Sequence, residues 1–154
     1  MTIRTESRIT IAGGVGVVWG YLCDVGRWSE WAPTVVECRM SDGGPLRPGV
    51  WVEQRARDLG WNHRRRELVT SLDPPRAMAF AGTMFTSPAR WGMVLEPEGG
   101  GTTAMMWVEV DLSNVMRVIP GSALRSQVQR VSDIEMAGIK TAVESAQRGD
   151  EGRP

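Results

Sequence analysis

TAMMWVEVDL, residues 103–112, alternates without a break. Ala104, Met106, Val108, Val110 and Leu112 share one face; Met105, Trp107, Glu109 and Asp111 share the other. Period-two alternation over that length marks a half-buried strand. A sheet made of such strands must cover its apolar side. The cover follows in sequence: after the loop SNVMRVIPG, the spacing predicts a helix from Ser122, its cap, to Arg148. Leu124, Val128, Val131, Gly138 and Ala142 form its apolar stripe, broadened by Ile134 and Ile139.

Upstream, the same alternation recurs. Residues 89–96 place Trp91, Met93 and Leu95 on one face, and residues 77–83 place Met78 and Phe80 opposite Ala77, Ala79 and Ala81. Val50 to Arg57 sets Val52, Gln54 and Ala56 against Trp51, Glu53, Arg55 and Arg57. A Gly/Pro-dense turn, SDGGPLRPG, separates it from a strand at Thr34–Met40. The first strand, residues 3–12, ends with Ile9 and Ile11 opposite Arg8 and Thr10. Gly13, Gly14 and Gly16 break it, and Val15 to Asp24 reads as a helix with Val15, Val18, Trp19, Leu22 and Cys23 at helical spacing. RWSEWAP then puts Trp28 and Trp31 on one side of a short helical turn. Hairpin-length connections imply an antiparallel sheet. The expected architecture is α+β: a curved antiparallel sheet of about seven strands wrapped around a long C-terminal helix, with two short helices after strand 1. It forms one domain, residues 1–148, and residues 149–154 read as a polar tail.

The 154 residues carry 18 basic and 18 acidic side chains, so no net charge recruits polyanions, and nucleic acid is not an expected partner. Two cysteines and one histidine cannot build a four-ligand zinc site; no metal or cofactor is expected. The opening TIRTESR lacks the apolar stretch of a signal peptide, and no apolar run suffices to span a bilayer. A soluble, cytoplasmic protein with free thiols is expected, compatible with a homodimer. GGVGVVWG does not follow the order of a phosphate loop, and no GxSxG elbow occurs. Cys23 falls on an apolar helix face and reads as packing. Trp107, predicted outward beside Met105, is a candidate protein contact.

Several strings resemble the START-like (SRPBCC, helix-grip) superfamily, in its polyketide cyclase/dehydrase-like branch. They are VVWGYLCDVGRWSEWAPTV (17–35), GGPLRPG (43–49), LVTSLDPPR (68–76), LEPEGGGT (95–102) and EMAGIK (135–140). They stand in the family's order across nearly the whole chain. The most specific is the DVxxWxxWxP pattern of Asp24, Val25, Trp28, Trp31 and Pro33. The resemblance implies a cavity between sheet and long helix for a hydrophobic small molecule. It also implies that Glu135, from EMAGIK, faces that cavity. Two departures stand out. GGVG replaces the usual Ser- or Ala-Pro helix start, and Met93 stands where an inward histidine is common.

The stretch that decides function is GWNHRRREL, residues 60–68. If Val69 faces the core, period two sends Glu67, Arg65, His63 and Trp61 inward; if Leu68 does, Arg66 and Arg64 follow it. Three readings compete: a loop lying outside the sheet, a structural ion pair of Arg65 with Glu67 or Glu135, or a polar end to an apolar cavity. Should the protein be catalytic, His63, Arg65 and Glu67 are the candidate set, with His63 as acid or base. The candidate ligand wall is Trp28, Trp31, Gln54, Trp61, Phe80, Trp91, Met93, Met106, Val131 and Glu135; Trp28 and Trp31 serve first to pack the helix junction. The expected function is binding of a polyketide- or lipid-like molecule. The alternatives are a polyketide cyclase or dehydratase, and an interaction protein of the heat-shock-activator kind.

Overall fold

The structure, a computed structural model, describes residues 1–58, 60–84, 86–112 and 119–153. Seven strands form one sheet: β1 (Thr2–Ile11), β2 (Val35–Met40), β3 (Trp51–Asp58), β4 (Trp61–Asp73), β5 (Ala77–Met84), β6 (Ser87–Glu98) and β7 (Gly101–Asp111). Helix α1 (Val15–Cys23) and a 3-10 turn (Val25–Glu30) follow β1, and α2 (Gly121–Glu151) closes the chain. The sheet order is β1-β7-β6-β5-β4-β3-β2. Every pairing is antiparallel. The chain leaves one edge at β1, crosses through α1 and the turn to the far edge at β2, and returns strand by strand.

Register stacks the inward residues in layers. Met78, Met93, Met106 and Ser7 lie side by side across β5, β6, β7 and β1; Phe80, Trp91, Val108 and Thr5 form the next layer. All three methionines are buried, as the alternation predicted. Their unbranched side chains fill the curve of the sheet under α2, where a stiff β-branched residue would fit less well. Trp107 points outward as expected. It lies against Gly92, where a Cβ would come within 2.7 Å of the indole, and Arg4 sits 5.3 Å above the ring. Its partial burial comes from the protein's own residues.

Helix α2 runs alongside β1. Ser7 Oγ binds Asp133 at 2.6 Å, Gln129 donates to the Glu6 carbonyl at 2.8 Å, and Lys140 donates to the Thr10 carbonyl at 2.8 Å. Its buried stripe is Leu124, Val128, Ser132, Met136, Ile139 and Val143. The expected stripe was rotated: Ile134 is exposed, whereas Val131, Glu135, Gly138 and Ala142 form the half-buried flank. The reason is close approach. At Gly138 a Cβ would lie 2.6 Å from the Trp31 carbonyl oxygen, so the helix rolls that glycine onto the backbone behind the 3-10 turn. The helix also continues to Glu151, into the expected tail, because nothing breaks it before Gly152 and Arg148 sits favourably in the last turn. Most of the loop before α2, residues 113–118, lies outside the described residues.

Candidate functional site

Strand β4 is regular from Trp61, so residues 61–65 are not a loop outside the sheet. Val69 is fully buried opposite Phe80, which fixes the register. Glu67 and Arg65 therefore project to the concave side, with Arg64 and Arg66 exposed on the convex one. A row across the edge strands sets Cys38, Gln54 and Arg65 side by side on β2, β3 and β4.

Arg65 makes no ion pair within 4.0 Å among the described residues. Its Nε donates to Gln54 Oε1 at 2.6 Å and its Nη2 to Thr34 Oγ1 at 3.3 Å. Gln54 passes the contact on, donating from Nε2 to Glu67 Oε2 at 3.2 Å. The Trp91 indole N–H is turned toward the same carboxylate. Guanidinium and carboxylate are thus bridged by a neutral amide, not fused in a salt bridge. Gly82 makes room for this: a Cβ there would stand 3.2 Å from Glu67 Cγ. Thr34 and Cys38 were not singled out from sequence, since a threonine after Pro33 and a cysteine on a short strand carry no local signal. Only the pairing of β2 with β3 brings them in.

Glu135 arrives from the half-buried flank of α2. It makes no hydrogen bond or ion pair among the described residues, yet it lies in the field of Arg65 and Glu67. Loss of hydration pushes its carboxyl up to about 7; Arg65 pulls it down and the Glu67 charge adds to the rise. Glu67 is itself pushed up by burial and held back by Arg65, Trp91 and Gln54. One guanidinium thus serves two carboxyls, and of the two Glu67 is the one that also receives hydrogen-bond donors. Burial, then Glu67, pushes the nearby Cys38 thiol up to about 12, so it is no nucleophile at neutral pH.

The remaining sequence candidates fall into three groups. Trp28, Trp31, Phe80, Met93 and Met106 are buried. Trp28 packs edge-on against Phe80 and Trp91 at 5.3 and 5.6 Å, and Phe80 stacks on Trp91 at 4.3 Å. Trp91 and Val131 remain solvent-accessible on the concave side, as do Arg65, Glu67 and Glu135. His63 and Trp61 have the inward parity, but β3 and β4 overhang the core there and both side chains are exposed. Trp61 is 79% exposed. His63 Nε2 lies 3.2 Å from Asp58 Oδ2, at the rim and outside the Arg65 network. Two surface hollows lie elsewhere: one along α2 by Arg125, Gln129 and Ile134, the other between α1 and α2 by Tyr21 and Val143. The first is an open helix surface. Neither contains the carboxyl cluster. Among the described residues no group of histidine, cysteine and acidic side chains could hold a metal ion.

The sequence profile described as polyketide cyclase / dehydrase and lipid transport matches residues 2–144. The chain belongs to that family. The two tryptophans of the DVxxWxxWxP pattern, Trp28 and Trp31, are both buried in the junction between the 3-10 turn and the sheet. Solved structures share the fold at low identity. A START superfamily protein from Mycobacterium smegmatis aligns with a TM-score of 0.75 at 13% identity, over 94% of this chain and 99% of that one. The di-domain ARO/CYC StfQ from the steffimycin biosynthetic pathway aligns with a TM-score of 0.74 at 16% identity, over 96% of this chain and 52% of that one. Ara h 8.0201 aligns with a TM-score of 0.71 at 14% identity, over 94% and 99% of the two chains. No curated protein sequence matches this one. No helix among the described residues is long and apolar enough to cross a membrane.

Proposed function

We propose that the protein binds a hydrophobic small molecule, polyketide- or lipid-like, between α2 and the concave face of β3 to β6. The apolar body would lie against Trp91 and Val131, and a polar head would meet Arg65, Glu67 and Glu135. The observation that carries this is Glu135: a carboxyl turned inward from a helix flank, with no partner among the described residues, beside an arginine whose Nη1 makes no hydrogen bond among them either. Half-buried groups without a protein partner are free to pair with a guest, and each such hydrogen bond is worth about 1 kcal/mol net. Buried Thr5 Oγ1 and Ser87 Oγ, both on the concave side, also lack partners among the described residues. A protonated Glu135 donates and an ionised one accepts, so a hydroxyl or carbonyl head can be met in either state. The test is a fluorescence titration with the apolar probe anilinonaphthalene sulfonate. Wild type should bind it, Val131→Trp should not, and Trp91→Phe should show weaker energy transfer to it. Equal binding by Val131→Trp would remove the probe from this space.

One observation supports a second reading, a cyclase or dehydratase. A carboxyl titrating near neutrality is suited to moving protons at cellular pH. There Glu135 replaces His63 as the acid–base group, Arg65 steadies an enolate, and the wall folds the chain. Cyclisation of a poly-β-keto thioester, with a pH profile inflecting near 7 in wild type and flat in Glu135→Gln, tests it.

A further inference from the structure

The β3–β4 hairpin has a composition that neither the core nor the carboxyl cluster explains. Gly60, at φ +83°, stands in its turn. Trp61 stands beside it with no aromatic or cation–π contact among the described residues, and it is the most exposed large hydrophobic side chain described. The convex face behind it is basic. Arg55 lies directly opposite Arg64, Arg57 opposite Asn62, and Glu53 opposite Arg66. Arg55 reaches Glu37 at 3.2 Å and Arg66 covers Trp51 at 4.2 Å. Arg57 and Arg64 are exposed and pair with no acid among the described residues. Like charges placed directly across a ladder are destabilising, so stability alone does not call for Arg55 facing Arg64. The chain as a whole has no net charge, so this basic excess is local and is balanced elsewhere.

An exposed indole at a hairpin tip, backed by unpaired guanidiniums, matches the chemistry of a bilayer interface. Indole rings partition to the headgroup level, and arginine meets phosphate with a fork of donors. Nucleic acid fits less well, because it rewards an extended series of phosphate contacts. We propose that the β3–β4 hairpin docks the protein on an anionic lipid surface, with Trp61 entering the interface and Arg57 and Arg64 meeting headgroup phosphates. The contact is peripheral and salt-sensitive, since one aromatic ring and a few arginines give reversible attachment. It does not depend on what occupies the space under α2.

Co-sedimentation with vesicles tests it. Wild type should pellet with vesicles of phosphatidylcholine mixed with phosphatidylglycerol, and not with phosphatidylcholine alone. Trp61→Ser should abolish pelleting. Arg57→Gln with Arg64→Gln should weaken it roughly 25-fold, about a fivefold loss for each neutralised arginine. Brominated lipid should quench wild-type emission and spare Trp61→Phe. Val131→Trp should pellet like wild type, which separates docking from cavity loading. All the docking substitutions fall on exposed side chains and leave the fold intact. Absence of wild type from the anionic pellet would overturn the proposal. So would unchanged binding by Trp61→Ser, or a preference for a single-stranded oligonucleotide or an acidic protein over the vesicles.

Discussion

Glu135→Gln should make the protein more stable, with a gain that is absent at pH 4 and nearly complete by pH 8. The carboxyl rises from 4.5 when hydrated to about 7 in the fold. A raised acid binds more protons in the native state than in the unfolded one. Its contribution is therefore complete below pH 4.5 and is lost as pH climbs through 7. At about 1.4 kcal/mol per unit, the full shift corresponds to roughly 3 kcal/mol. Solvent still reaches the group, so that figure is a ceiling, and a gain of about 1–3 kcal/mol at pH 8 is expected. Glutamine keeps the shape and removes the charge. Arg65 keeps Glu67 as its counter-charge through Gln54, so the substitution leaves no orphaned cation. The assay is urea denaturation of wild type and variant at pH 4, 6, 7 and 8, with the urea dependence checked for constancy. The two curves should coincide at pH 4, separate progressively between about pH 4.5 and pH 7, and differ little further above that. Parallel curves, or a variant less stable at pH 8, would refute the claim that Glu135 is an uncompensated inward carboxyl.

Three further outcomes follow from the same contacts. Gly138→Ala should cost about 1–3 kcal/mol in thermal denaturation, because its methyl would meet the Trp31 carbonyl at 2.6 Å and push α2 off the turn. Arg65→Met should destabilise more at pH 8 than at pH 4, since it strands both raised carboxyls without a cation; denaturation at the two pH values measures the difference. His63→Ala should change stability by no more than about 0.5 kcal/mol and leave probe binding untouched, because the imidazole sits at the rim on Asp58.

The strands were legible because alternation is a local property. Residues 103–112 and 50–57 state their faces without help from the rest of the chain; for residues 60–68 the pattern left Val69 and Leu68 both open, and the burial of Val69 opposite Phe80 decides it. What local pattern does not encode is where a strand leaves the cover of its neighbours. Trp61 and His63 share the parity of Glu67, yet they lie past the end of the core, and parity alone placed them on the wall. The face of α2 was misjudged for a related reason. Ile134 is hydrophobic and Ser132 is not, but the close contact at Gly138 sets the rotation of the whole helix. The polar cluster needed three dimensions, since Thr34 and Cys38 come from β2 and its approach while Glu135 comes from α2. An ion pair of Arg65 with Glu67 or Glu135 was foreseen as one of three readings of the stretch. The amide of Gln54 standing between Arg65 and Glu67 was not, because nothing in the spacing of residues 54, 65 and 67 says which of the three is central.

Native mass spectrometry of the protein, purified gently and compared with Val131→Trp, addresses the proposed occupancy most directly. Wild type should carry an extra mass that organic solvent extracts as an apolar compound bearing a hydroxyl or carbonyl group, and the filled variant should fly bare. A wild type at its bare chain mass under every mild condition, or the same adduct on both proteins, would contradict it.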